Sequence, residues 1–182
     1  MTDQGDLSRR DWRELPIVLV GLMGAGKSTV GKRLSRSLGR DFVDVDEEIE
    51  RAANRSIPEI FEEFGEAHFR EGERRVVERL LDGRPDVIAT GGGAFVDPTT
   101  RALILARGVA VWLDADIETL VQRTSRRNTR PLLRNGDPHA ILSDLKERRG
   151  GAYAEAHLHI VTDKGPHQRT VDRIIRKLAT WS

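Results

Sequence analysis

The stretch LPIVLVGLMGAGKST, residues 15–29, decides the fold. An apolar run of strand character ends at Gly21. From there Gly21-x-x-x-x-Gly26-Lys27-Ser28 matches the Walker A pattern in full, and a helical pattern runs on from Lys27 to about Leu38. Strand, glycine-rich loop and helix, in that order, are the context in which this pattern grips phosphate. Gly21, Gly24 and Gly26 let the backbone curl with its amide hydrogens pointing inward, and the helix N-terminus adds positive potential. Lys27 reaches the outer phosphates and Ser28 can ligate Mg²⁺. The motif specifies phosphates and no more, being shared by motors, GTPases, transporters and small-molecule kinases. No Asn-Lys-x-Asp pattern follows a later strand, which weakens a guanine reading, and a chain of 182 residues leaves no room for a motor's arm or second domain.

Working outward, four more short apolar runs read as strands: DFVDV (41–45), DVIAT (86–90), GVAVWLDA (108–115) and LHIVT (158–162). Between them lie helical patterns at 46–54, a pair around 57–82, 98–107, 116–126 and 138–154, with a closing helix near 167–181. Ser56 with Pro58, Asp97-Pro98 and Asp137-Pro138 mark three helix starts by a cap and an early proline. Strand then helix, repeated, predicts an α/β domain whose parallel sheet is covered on both faces. One domain spanning 1–182 is expected, with 1–14 as a polar N-terminal extension. No repeat or low-complexity segment interrupts it.

Hydrophobic residues make up 38% and charged residues 32%, with a net charge of only +1, so anion binding must come from local clustering. The absence of cysteine excludes disulfides, thiolate metal sites and a cysteine nucleophile. Arg9 and Arg10 ahead of an apolar run imitate an export signal, but Asp11, Arg13 and Glu14 interrupt it and it leads into the phosphate loop. No run of about 18 apolar residues is present to span a membrane. The expectation is a cytoplasmic protein, a monomer, with no nucleic-acid or membrane partner.

Several residues fall at the sheet edge that carries the loop, where ligands bind in open α/β sheets. Asp44 and Asp46 are two apart at the end of the second strand, and period two puts both on one face. They serve either as a magnesium partner through water and an acceptor for a substrate hydroxyl, or as a solvated Asp44 and a helix cap at Asp46. Arg70 and Glu73, three apart on a helix, are either a surface ion pair or a guanidinium held ready for a substrate carboxylate. Gly91-Gly92-Gly93 costs conformational entropy, which implies close backbone approach at the floor of a second pocket. The segment RTSRRNTRPLLRNG, 123–136, holds five arginines and is either a solvated cationic loop, a patch for RNA, or a lid. RNA is disfavoured because aromatic residues are only 5% of the chain and none is interleaved there to stack bases.

Taken together these residues resemble the shikimate kinase family, within the nucleoside-monophosphate-kinase-like group of P-loop proteins. GLMGAGKSTVGKRL, DVDEEIE, SIPEIFEEFGEAHFREGE, ATGGGA and TRPLL fall in the family's order and approximate spacing over nearly the whole chain. The resemblance implies a three-layer α/β/α fold with a central five-stranded parallel sheet of order 2-3-1-4-5 and a mobile lid at about 123–137. It implies ATP-dependent phosphorylation of the 3-hydroxyl of shikimate, giving shikimate 3-phosphate and ADP in aromatic amino acid biosynthesis. Carried over by position, it implies that Gly24, Ala25, Gly26, Lys27, Ser28 and Thr29 contact ATP, with Arg123 near the adenine and Arg130 as the lid arginine on the phosphates. Ser28 would bind Mg²⁺ and Asp44 would hold it through water. Asp46, Arg70, Gly91, Gly92, Gly93 and Arg149 would form the shikimate pocket in the helical region 46–82 and beyond, with Glu73 orienting Arg70. Lys27, Asp46 and Arg130 would be catalytic.

This chain departs from the family after the lid. The family reads Arg-x-Pro-Leu-Tyr or a close relative, whereas here RRGGAY stands, so Arg149 is assigned by its distance to Tyr153 with Arg148 as the neighbour it could be confused with. Gly150 and Gly151 imply a looser turn. In the C-terminal loop TDKGPHQR only Gln168 suggests an adenine contact. His157 and His159 alternate into the last strand without a third ligand and read as an exposed strand edge. A gluconate-type kinase and a nucleotide-binding module without transfer activity are the rival readings.

Overall fold

The computed structural model describes residues 11–84, 86–125 and 136–181. Five strands, β1 (Ile17–Val20), β2 (Phe42–Asp44), β3 (Val87–Ala89), β4 (Val109–Ala115) and β5 (Leu158–Thr162), form one parallel sheet of order β2-β3-β1-β4-β5. Every residue of β1 and β3 is buried, and so is most of β4, whichever face its side chain takes. Burial of both parities means that both faces of the sheet are covered, which is why these strands read as continuous apolar runs. The covering helices are α1 (Lys27–Leu38), α2 (Val45–Ala53), α3 (Ile57–Leu81), α4 (Pro98–Arg107), α5 (Ile117–Ser125), α6 (Pro138–Tyr153) and α7 (His167–Ala179). Helices α1 and α7 pack on each other, α1 against β1, β2 and β3 and α7 against β5; α2, α3 and α4 form a second set of neighbours.

The caps foreseen in the sequence form. Ser56 and Glu59 make a reciprocal capping box at α3, Asp97 accepts from the Thr100 amide at α4, and Asp137 accepts from the His139 and Ala140 amides at α6. The pair of helices expected around 57–82 is the two halves of α3, which meet at a kink on Gly65, whose φ of 80° and ψ of 174° set them at an angle. Ile17 of β1 pairs with Val87 of β3 on one side and Val109 of β4 on the other, so the first strand is central.

The polar extension 1–14 is docked at its described end: Trp12 is buried, and the Arg40 guanidinium donates to the carbonyls of Trp12, Arg13 and Leu15. Two expectations are corrected. Gly150 and Gly151 are not a turn, because α6 runs through them to Tyr153. His157 is not an exposed edge residue. Its Nδ1 accepts from the Ala110 amide at 3.0 Å and its ring meets Trp181 edge-on. Of the two histidines only His159 faces out, beside Val161 on β5, stacked on Trp112 with Nε2 3.0 Å from Asp114. On the open side of β5, Lys177 donates to the His159 carbonyl and Arg173 to the Val161 carbonyl. No helix among the described residues is long and apolar enough to cross a membrane.

Candidate active site

The phosphate loop joins β1 to α1. Gly26 caps α1 from the left-handed region, φ 95°, which turns the chain into the helix without a side-chain cap on its first turn. Lys27 Nζ donates to the carbonyls of Gly21 and Leu22 at 2.8 and 2.9 Å, folding its ammonium back over the loop. Arg123, in the last turn of α5, donates to the carbonyls of Gly24 and Ala25 and, with its other nitrogen, to that of Asp163. It ties the back of the loop to the segment before α7. His167, the first residue of α7, comes equally close: a Cβ on Gly26 would lie 3.5 Å from both its ring and Arg123. Burial, then the charges of Arg123 and Arg33, push the His167 pKa down.

At the front of the loop Ser28 Oγ donates to Asp44 Oδ2 at 2.9 Å, while Asp44 Oδ1 accepts from the Asp46 amide at 3.0 Å. Asp44 therefore caps α2, and Asp46 stands in that helix's first turn. The strand period used to place them on one face does not apply, because β2 ends at Asp44. The two reach the same region through the cap instead. Ser28 and Asp44 are hard oxygen donors within hydrogen-bond distance of one another, a set suited to Mg²⁺ that keeps most of its shell as water and phosphate oxygen.

The second pocket abuts this one. On the second half of α3 the Arg70 guanidinium donates to Glu73 Oε2 at 2.6 Å, and Glu73 is buried with 1% of its surface exposed, so the pair is not a surface bridge. Burial raises the Glu73 pKa, opposed by the Arg70 charge and reinforced by Asp46 and Asp97. The three glycines after β3 lie directly under these groups. A Cβ on Gly91 would sit 2.9 Å from Asp46 Oδ1 and 3.3 Å from Glu73 Oε1; one on Gly93 would sit 2.7 Å from Arg70 Cζ. One on Gly92 would meet Arg149 Nη1 at 3.3 Å, the Met23 amide nitrogen at 3.7 Å and the Gly21 carbonyl at 3.8 Å. Each glycine thus makes room for a different polar group, and Gly92 is the wall shared with the phosphate loop.

Arg149 reaches Gly92 from α6, whereas Arg148 points out and pairs with Asp144, which separates the two arginines. Sequence reasoning gave Tyr153 no role. Its hydroxyl, buried, donates to the Gly92 carbonyl at 2.5 Å and lies against Arg149, and burial raises its pKa while Arg149 opposes the shift. Its spacing of four from Arg149 was the available signal, since i and i+4 share a helix face. His167 had no comparable signal. Arg130, together with Arg126, Arg127 and Arg134, lies outside the described residues.

A phosphate-loop motif and a pocket of two arginines, meeting at the glycines after β3, is the arrangement of a P-loop kinase acting on a small anionic acceptor. The shikimate kinase family model matches residues 23–179. A shikimate kinase from Novosphingobium aromaticivorans is 55% identical over 91% of this chain and 88% of its own length. The solved structure of shikimate kinase from Acinetobacter baumannii in complex with shikimate superposes with a TM-score of 0.88 at 40% identity, over 95% of this chain and 97% of that one. The chain belongs to the shikimate kinase family, whose members use ATP as co-substrate. A gluconokinase from Sinorhizobium meliloti, 19% identical with a TM-score of 0.60 over 92% of this chain and 93% of that one, shares the fold alone.

Proposed function

We propose that this single domain transfers the γ-phosphoryl group of ATP to the 3-hydroxyl of shikimate, in the cytoplasm and as a monomer. The observation that carries the reading is the convergence of Arg149 and the Met23 amide of the phosphate loop on Gly92. An acid held by Arg149 and Arg70 presents its hydroxyls to Asp46 and to the loop within one small molecule's length. Gluconate is also an anionic polyol, and a direct comparison of the two acceptors separates them.

In this reading Gly24, Ala25, Gly26, Lys27, Ser28 and Thr29 hold the phosphates, and Arg123 closes the nucleotide side of the loop. Lys27 exchanges its present carbonyl partners for phosphate oxygens. Ser28 would hold Mg²⁺ directly and Asp44 through water; that ion, when bound, neutralises charge on the phosphates. Arg70 and Arg149 take the substrate carboxylate, with Arg70 aimed by Glu73 and Arg149 backed by Tyr153. Gly91, Gly92 and Gly93 let these groups converge. Asp46 orients the acceptor hydroxyl and takes its proton; strong base action is not required, because phosphoryl transfer is largely dissociative. Arg130 is assigned to the transferring phosphoryl group from the sequence.

The test is ADP release in a coupled assay with ATP, Mg²⁺ and either shikimate, gluconate or no acceptor, repeated with Arg70→Ala. Turnover with shikimate only is expected, and loss of the guanidinium should raise KM for shikimate roughly 100-fold, corresponding to about 3 kcal/mol of charge-assisted hydrogen bonding. Preference for gluconate would show the acceptor to be misread, and ATP binding without turnover would favour a regulatory module.

A further inference from the structure

Glu73 does more than its bond to Arg70 requires. Its Oε2 accepts from Arg70, but its Oε1 is fully buried and has no hydrogen-bond partner among the described residues. An ionised carboxylate oxygen in that position is costly, since burial without donors penalises the charged form. The groups facing Glu73 come from every element packed on α3: Arg70 on its own helix, Asp46 from α2 and Asp97 from the N-terminus of α4. Two of the three are negative. Oε1 and Asp46 Oδ1 converge on Gly91, with a Cβ there 3.3 and 2.9 Å from them. The two carboxylates thus border the same small space above Gly91.

The proposed reading brings a third negative charge, the substrate carboxylate, onto Arg70 from the side opposite Glu73. Arg70, whose Nε already lies 3.6 Å from Glu66 Oε1, then shares its charge among three acids, and the substrate displaces water from the pocket. Both changes favour the neutral form of Glu73. We infer that binding of the acid substrate is coupled to uptake of one proton on Glu73 Oε1, donated as a hydrogen bond toward Asp46. The charge balances: one carboxylate enters, one proton enters from the solvent, and Arg70 still donates to Oε2, now a carbonyl oxygen and a weaker acceptor, while its charge turns to the substrate acid. Glu73 is in this sense a positioning residue whose protonation tunes Arg70.

The inference rests on the assignment of Arg70 to the substrate acid, and its test separates the two. Shikimate binding to the wild-type protein is titrated calorimetrically without nucleotide, from about pH 5 to about pH 8, in buffers of different ionisation enthalpy. Uptake approaching one proton is expected within that window, with log Kd rising by up to one unit per pH unit between the pKa of Glu73 in the free protein and its pKa in the complex. In Glu73→Gln, an isostere of the neutral acid that cannot titrate, the proton count falls to zero and the rise of Kd with pH disappears. Binding with no buffer dependence at any pH in the wild type, or undiminished uptake in Glu73→Gln, would overturn the coupling. Absence of shikimate binding would instead overturn the assignment of the pocket. The wild-type titration decides the matter even where the variant does not fold.

Discussion

Gly150 and Gly151 occupy helical positions in α6, one and two residues beyond Arg149, and neither adopts a positive φ. A Cβ at either would meet nothing within 4 Å. Replacing both with alanine therefore adds no clash and removes two helix-disfavouring residues. The full interior penalty of glycine relative to alanine is about 1 kcal/mol each, and these sites lie in the last turn, where fraying halves the effect at most. The double variant should gain about 1–2 kcal/mol, which for a domain of this length raises Tm by roughly 3–6 °C. Because Arg149 and Tyr153 flank the pair, a stiffer helix should hold the guanidinium at Gly92 at least as well, leaving KM for shikimate unchanged or lower. Thermal unfolding followed by circular dichroism, with KM from the coupled assay, gives both readings. A Tm equal to or below that of the natural sequence would refute the propensity argument. A rise in KM of tenfold or more would mean that the glycines supply motion that the pocket needs.

Two further outcomes follow from single positions. Gly93→Ala drives a methyl into the Arg70 guanidinium while Glu73 holds it in place, so KM for shikimate should rise on the order of 100-fold with KM for ATP within about twofold, measured by varying each substrate in turn. His157 accepts the Ala110 amide on Nδ1 and must be neutral to do so, and burial holds its pKa below the ordinary 6.5. As pH falls below about 6.5 the unfolded chain binds this proton before the folded one does, so stability is lost on acidification. Denaturant melts at about pH 7.5 and 5.5 should show a smaller loss in His157→Asn than in the natural sequence; equal losses would remove His157 as the source.

The layout of the sheet was legible because β1, β3 and β4 are buried on both faces, so that apolar runs of strand length stood out between capped helices. The phosphate loop was legible because its glycines and Lys27 serve a single geometric purpose. The glycine triad announced close approach, yet the group pressing on each glycine is decided by packing of α2, α3 and α6 onto the β3 edge, which no local pattern encodes. Asp46 was found for the wrong reason: a strand period pointed to it, whereas the cap made by Asp44 puts it there. RRGGAY suggested a turn because two glycines break helices in isolation, but burial of Tyr153 carries α6 through them. His167 meets the phosphate loop only because the sheet order sets α7 beside α1, a relation between segments more than a hundred residues apart.

The central place of β1 also bears on how the chain is born. Its four apolar residues emerge first from the ribosome, but their partners are Val87 and the residues after it on one side and Val109 and those after it on the other. At translation rates of about 5–20 residues per second, the second neighbour of β1 arrives roughly 5–20 s after the first strand is made. Until the residues of β3 follow, IVLV is a sticky segment with no sheet to join, and α1 is the first helix made that packs beside it. The strand on which the finished enzyme depends most is the one that newly made chains most need help to shelter.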